Sequence, residues 1–286
     1  MLHRYIIPIA AALLMPLEMQ AAPVVFTGAG EDTAALTPTV DDFRNALGPN
    51  NGNAPINAGP DGHRSINWDA APDGISDPNG FPGDFFNANF APRARGIEFK
   101  ETGNTTGFLL SSTQASGQPP AFGFESDFPT FSPERLFSPV GGTTFDVAFF
   151  DPASPSNQAT SRGLGVVFSG LDRDDTAGMR FYDQDGGLLA EEFAPSGDGD
   201  LSFLGVLFED PIVASVKFFG GTRFLSSNRD FDGPVGDAFV MDDFIFGEPI
   251  PLGQDIAPIP LPAPAVLLSF ALCALGVLRR RQAKRV

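Results

Sequence analysis

Nine short apolar runs, each closed off by Gly, Pro, Asn or Asp, fill the chain between residues 97 and 246. Their lengths and boundaries predict β-strands over Ile97–Glu101, Phe108–Ser112, Thr143–Asp151, Leu164–Ser169, Met179–Tyr182, Leu188–Phe193, Leu201–Phe208, Ile212–Phe219 and Phe239–Phe246. In the third run Phe145, Val147 and Phe149 alternate with Asp146, Ala148 and Phe150, the period of a strand with one inward face. Asp185-Gly186-Gly187 supplies a hairpin turn between the fifth and sixth runs. No helical pattern separates the runs, as a parallel α/β sheet would require. Twenty-nine phenylalanines against two tyrosines suggest a thick core between two sheets. The expected fold is therefore all-β, a jelly-roll-like antiparallel β-sandwich. No repeat of fixed period points to a propeller or solenoid.

The segment before the strands is less regular. Thr39-Val40-Asp41-Asp42 reads as a variant capping box, Val40, Phe43 and Leu47 fall at helical spacing, and Gly48 suits a helix C-terminus. One short helix is expected there. From Pro49 to Pro92 the density of Gly, Pro, Asn and Asp predicts turns, pinned onto a sheet by Trp68, Phe81, Phe85, Phe86 and Phe90.

The two ends read as addresses. His3 and Arg4, an apolar run from Tyr5 to Leu17, and the small residues Ala21 and Ala22 follow the order of a secretory signal, so residues 1–21 are expected to be removed. Leu261 to Leu278 carry no charge over 18 residues, roughly 27 Å as a helix and close to a bilayer core. A single C-terminal transmembrane helix is expected. Arg279, Arg280, Arg281, Lys284 and Arg285 follow it, a cluster that the positive-inside rule assigns to the cytoplasmic side of the inner membrane.

Ile259-Pro260-Leu261-Pro262-Ala263, the apolar span and the terminal Arg cluster together resemble the VPLPA-type branch of the PEP-CTERM sorting tails of Gram-negative bacteria. Ile259 stands where that motif has Val. The resemblance covers residues 259–286 and implies a destination: processing by an exosortase-like membrane enzyme, then the cell surface or extracellular matrix. Residues 22–258 form the exported body. Its segments Arg64-Ser65-Ile66-Asn67-Trp68-Asp69, Phe131-Ser132-Pro133-Glu134-Arg135-Leu136-Phe137 and Val240-Met241-Asp242-Asp243-Phe244 resemble exported bacterial proteins with this kind of tail, and that likeness names no reaction.

The body holds 12 basic and 34 acidic residues, a net charge of −22 with His neutral, which makes nucleic acid and anionic lipid poor partners. The only cysteine, Cys273, lies in the predicted span, so the body has no disulfide and no thiolate chemistry. His63 is its only imidazole, read as an exposed loop residue that Asp61 or Asp69 would have to orient were it a general base. Carboxylates are plentiful, and Glu98, Glu125, Glu134, Asp146 and Glu209 are candidates for a glycosidase pair, although no spacing selects two of them. Asp172-Arg173-Asp174-Asp175, Asp183-Gln184-Asp185-Gly186, Asp198-Gly199-Asp200 and Asp230-Phe231-Asp232-Gly233 place carboxylates beside flexible turns. Asp183, Asp185, Asp230 and Asp232 are the candidate ligands of a structural calcium ion. Two readings stay open. One is a non-catalytic surface or matrix protein open to binding glycan or another matrix component, for which an aromatic platform would be drawn from Trp68, Tyr182 or the Phe81–Phe90 cluster. The other is a secreted carboxylate-dependent polysaccharide hydrolase.

Overall fold

The computed structural model describes residues 21–112, 122, 124, 127–197, 200–226, 230–233 and 236–253. In chain order the elements are β1 (Val24–Gly30), α1 (Thr33–Leu47), β2 (His63–Ile66), β3 (Ile97–Glu101), β4 (Gly107–Leu110), β5 (Phe137–Val140), β6 (Phe145–Asp151), β7 (Ser154–Thr160) and β8 (Gly163–Ser169). They continue with β9 (Ala177–Tyr182), β10 (Leu188–Phe193), β11 (Leu201–Leu207), β12 (Ser215–Gly220), β13 (Phe224–Leu225), β14 (Phe231–Asp232), β15 (Val240–Gly247) and β16 (Ile250–Pro251). One sheet runs β1-β11-β8-β15-β5-β13-β14, with β2 also on β15 and β4 on β5. The other runs β10-β9-β12-β6-β7-β16, with β3 on β6. Pairing between these strands is antiparallel except for a short parallel contact of β13 with β5. This is the expected all-β sandwich.

The burial patterns follow from the layers. Phe145, Val147 and Phe149 of β6 point inward while the residues between them are half-exposed, as the alternation predicts. By contrast, β8, β11 and β15 are buried along their whole length. Their inner faces meet the second sheet, as in the ring contacts of Phe246 with Phe149 at 5.8 Å and of Phe244 with Phe218 at 5.7 Å. Their outer faces are covered by α1, whose Leu36, Val40, Phe43 and Leu47 pack with Val167, Leu201, Phe203, Leu207 and Ile245. A strand covered on both sides needs no polar alternation, hence these continuous apolar runs. Gly165 and Gly205 lie opposite each other on β8 and β11. A Cβ on either would fall within 2.8 Å of the Phe43 ring, so the two glycines make the hollow into which the helix seats.

Three expectations need correction. The helix begins about two turns earlier than the capping box implies: Asp32 is its N-cap, accepting from the Ala35 amide at 2.8 Å, and Thr39 lies inside it. Burial of Leu36 against the sheet carries the helix through Pro38. His63 is buried at the start of β2, a strand within the stretch expected to be turns. Its Nδ1 lies 2.8 Å from the Gly48 carbonyl, which can only accept, so Nδ1 carries the proton. Burial and the nearby Arg44 hold its pKa below the ordinary imidazole value, opposed by that bond. The third correction is in strand number: β1, β5, β7, β13, β14 and β16 lie outside the nine apolar runs, being short, polar or at an edge. No helix among the described residues is long and apolar enough to cross a membrane. Residues 1–20 of the predicted signal, the sorting motif Ile259–Ala263, the span and the Arg279–Arg281 cluster lie outside the described residues.

Candidate functional site

β15 carries two adjacent acids, Asp242 and Asp243, in the middle of an otherwise apolar strand. On a regular strand they would point to opposite faces. The register of β15 against β8 shifts between Met241 and Phe244, where three steps on β15 match two on β8. This bulge brings both carboxylates to one hydroxyl: Ser132 Oγ lies 3.0 Å from Asp242 Oδ1 and 2.9 Å from Asp243 Oδ1. Asp242 Oδ2 accepts from the amides of Phe131 and Ser132 at 2.7 and 3.1 Å. Asp243 Oδ2 accepts from Arg44 of α1 at 2.9 Å, and Arg44 also pairs with Asp41.

The three body segments singled out in the sequence therefore meet here. Trp68 Nε1 donates to the Asp242 carbonyl at 2.6 Å, and the Arg135 amide donates to Asp69 Oδ1 at 3.1 Å. Arg135 continues to Asp73 at 2.6 Å and to Ser76 Oγ. Next to this network Arg64, fully buried, forms a bidentate pair with Glu248, its Nε and Nη2 at 2.8 and 2.7 Å from the two carboxylate oxygens. Its remaining donors reach the carbonyls of Ala54, Ile56 and Ala94 at 2.7–3.1 Å. Arg64 thus fastens the loop after α1 to the sheet.

Burial and the neighbouring Asp243 push Asp242 well above the usual carboxylate range, against the pull of its amide donors. Burial also raises Asp243, opposed by Ser132 and Arg44. Ser132 Oγ, between the two acids, can link a protonated carboxyl to its charged neighbour, and a carboxyl raised in this way holds its proton to higher pH than in the unfolded chain, where it is released above about pH 4. A raised folded-state pKa contributes stability that is present below about pH 4 and lost as pH rises through the folded value. Asp242→Asn keeps an acceptor for the two amides and a donor for its partner without needing that proton. Its unfolding free energy relative to the native protein should thus climb as pH rises above about 4. Urea denaturation across the range from acid to mildly alkaline pH measures this, and a difference independent of pH would show that the pair does not share a proton.

Two pockets open beside the network. A polar one of about 320 Å³ is lined by Arg44, Asn50, Asn53, Asn67, Arg95 and Asp243. An apolar one of about 290 Å³ lies against Trp68, Ala71, Phe85, Phe86 and Arg93. Asn67 and Arg95 line both, so the pockets adjoin. No family model, curated protein or solved structure matches the chain.

Of the residues singled out in the sequence, Trp68, Phe85 and Phe86 border this cleft, and none of the described candidate glycosidase or calcium acids lines it. Trp68 is no exposed platform: it is 1 % exposed and stacks on Phe137 at 4.6 Å, with Phe81, Phe86, Phe99 and Phe244 around it. Tyr182 is half-buried at the end of β9 in the second sheet. Asp146 pairs with Lys217 at 3.7 Å, Glu98 is half-buried on β3, Glu134 and Glu209 are exposed, and Glu125 lies outside the described residues. Asp183 Oδ1 accepts from the amides of Asp185 and Gly187 at 2.9 and 2.7 Å, completing the predicted hairpin turn. Asp230 is exposed and exchanges hydrogen bonds with Ser226, while Asp232 pairs by its backbone with Phe224. Among the described residues no three His, Cys, Asp or Glu side chains form a metal-holding group. Sequence reasoning missed Arg44, Asn50, Asn53 and Arg95. The one available signal was two adjacent acids inside a run of Val, Met, Phe and Ile, where charge is tolerated only with dedicated partners.

Proposed function

We propose that the chain is an exported cell-surface or matrix protein, sorted through its VPLPA-type tail and C-terminal spanning helix, whose jelly-roll-like body binds glycan in the cleft formed by these two pockets. The observation that carries the binding reading is the junction of a pocket rich in amides and guanidinium with one walled by aromatic rings. A pyranose has the matching anatomy: hydroxyls at its rim for planar polar groups, and C–H faces for apolar walls. Binding is favoured over hydrolysis by the acids. Among the residues lining the polar pocket only Asp243 is a carboxylate, and it is tied to Ser132 and Arg44. A hydrolase needs two carboxyl groups placed across the sugar.

Deleting Pro260–Val286 should move the protein from membranes into the soluble fraction outside the inner membrane, with retention on immobilised oligosaccharides intact. Unchanged fractionation would overturn the sorting role. Failure of the full chain to bind any neutral or acidic glycan on an array would overturn the binding role.

A further inference from the structure

The body has nearly three acids for every base, yet several of its arginines form no ion pair among the described residues. Two such arginines border the cleft. Arg93 Nε donates to the Phe85 carbonyl at 2.7 Å, and its guanidinium lies over the Phe85 ring at 4.2 Å from the centroid. Arg95 Nε donates to the Pro92 carbonyl at 3.3 Å, and its guanidinium lies 5.3 Å from the centroid of Phe86. Neither is paired with an acid among the described residues, whereas Arg44 and Arg64 are.

Arg95 lines both pockets, and its Nη donors have no carboxylate partner among the described residues. Burial and the cationic Arg64 nearby lower its pKa to about 10, so it stays charged at neutral pH in surroundings that disfavour the charge. An anion arriving there removes that penalty, and a planar carboxylate matches the guanidinium fork. Asn50, Asn53, Ser65 and Asn67 on the polar side suit a ligand dense in hydroxyls rather than an aliphatic acid.

We propose that Arg95 is a carboxylate anchor and that the cleft selects acidic oligosaccharides, a uronic acid residue in the polar pocket and the C–H face of its neighbour against Phe85 and Phe86. This rests on the reading of the cleft as a glycan site. The test is calorimetric titration of the full chain in non-ionic detergent with a trigalacturonate and with the same trisaccharide reduced at its carboxyl groups. The acidic ligand should bind about tenfold tighter or better in moderate salt, which screens the long-range repulsion of the acidic body more than the contact pair at Arg95. Arg95→Met should reduce that advantage to about twofold or less. Equal affinity of the native protein for both ligands overturns the anchor and leaves the glycan site standing, and this comparison needs no variant to fold. Full preference retained in Arg95→Met also overturns it. Binding of neither ligand overturns the anchor, and the glycan reading is then decided by the array.

Discussion

Arg64→Met should destabilise the protein by about 3–5 kcal/mol, the cost of leaving one member of a buried ion pair without its partner. Arg64 and Glu248 have no solvent-exposed side-chain surface, so Glu248 in the variant would keep a charge that water cannot reach. Methionine fills much of the volume but donates nothing, and the carbonyls of Ala54, Ile56 and Ala94 lose the donor that Arg64 gives them. In a domain of this size each kcal/mol lowers Tm by about 2–4 °C, so a fall of roughly 10 °C is expected by calorimetry. Glu248→Met alone should cost a similar amount. The double variant should be less damaged than the two single effects added together, because replacing both charges removes the uncompensated one. Additive losses would mean that the pair acts only through packing. Under the proposed glycan reading the Arg64 variant should also weaken glycan binding, since Arg64 fastens the loop that brings Asn50 and Asn53 to the polar pocket.

Trp68→Ala should cost about 3–5 kcal/mol as well, through a different mechanism. The indole is buried among Phe81, Phe86, Phe99, Phe137 and Phe244, with centroids 4.6–5.9 Å away, and its removal leaves a cavity that five rings cannot close together. It also removes the donor to the Asp242 carbonyl, the link between the aromatic core and the acid pair. Trp68 has φ +65°, a left-handed conformation that a bulky side chain adopts only when its surroundings enforce it. Trp68→Phe separates the contributions. It keeps a stacked ring but loses the N–H and part of the volume, and should cost about 1–3 kcal/mol. Because Trp68 is the only tryptophan, circular dichroism with urea replaces fluorescence as the readout. A loss below about 1 kcal/mol for Trp68→Ala would contradict its central place in the core.

Both variants act where sequence reasoning stopped. The alternation of Phe145, Val147 and Phe149 contained the inner face of β6, and Asp185-Gly186-Gly187 contained the hairpin between β9 and β10. Val40, Phe43 and Leu47 contained most of the buried stripe of α1. These are local patterns, set by side-chain period and by the backbone freedom of glycine, and neighbours in the chain suffice to read them. The balance of 12 bases against 34 acids in the body was equally legible, because it is a sum.

The cleft was not a local pattern. Asp242 and Asp243 become a pair only because β15 slips against β8 by one residue, and that slip depends on strands distant in the chain. His63 looked like a loop residue because glycine, proline and asparagine surround it, yet pairing with Gly247 of β15 and burial against Gly48 make it part of a strand. Arg64, Trp68 and Ser132 carry no signal in composition that sets them apart from surface residues or an ordinary core aromatic. Their roles come from partners at Glu248, Asp242 and Asp243, between 110 and 184 positions away. The sequence alone determined that the apolar runs would be strands, since period and turn chemistry act over a few residues, whereas the edge strand β1 and the polar β7, each seven residues long, are strands through their partners in the sheets. The tertiary structure decided which polar groups meet, because a buried charge or hydroxyl persists only where the fold brings it a partner.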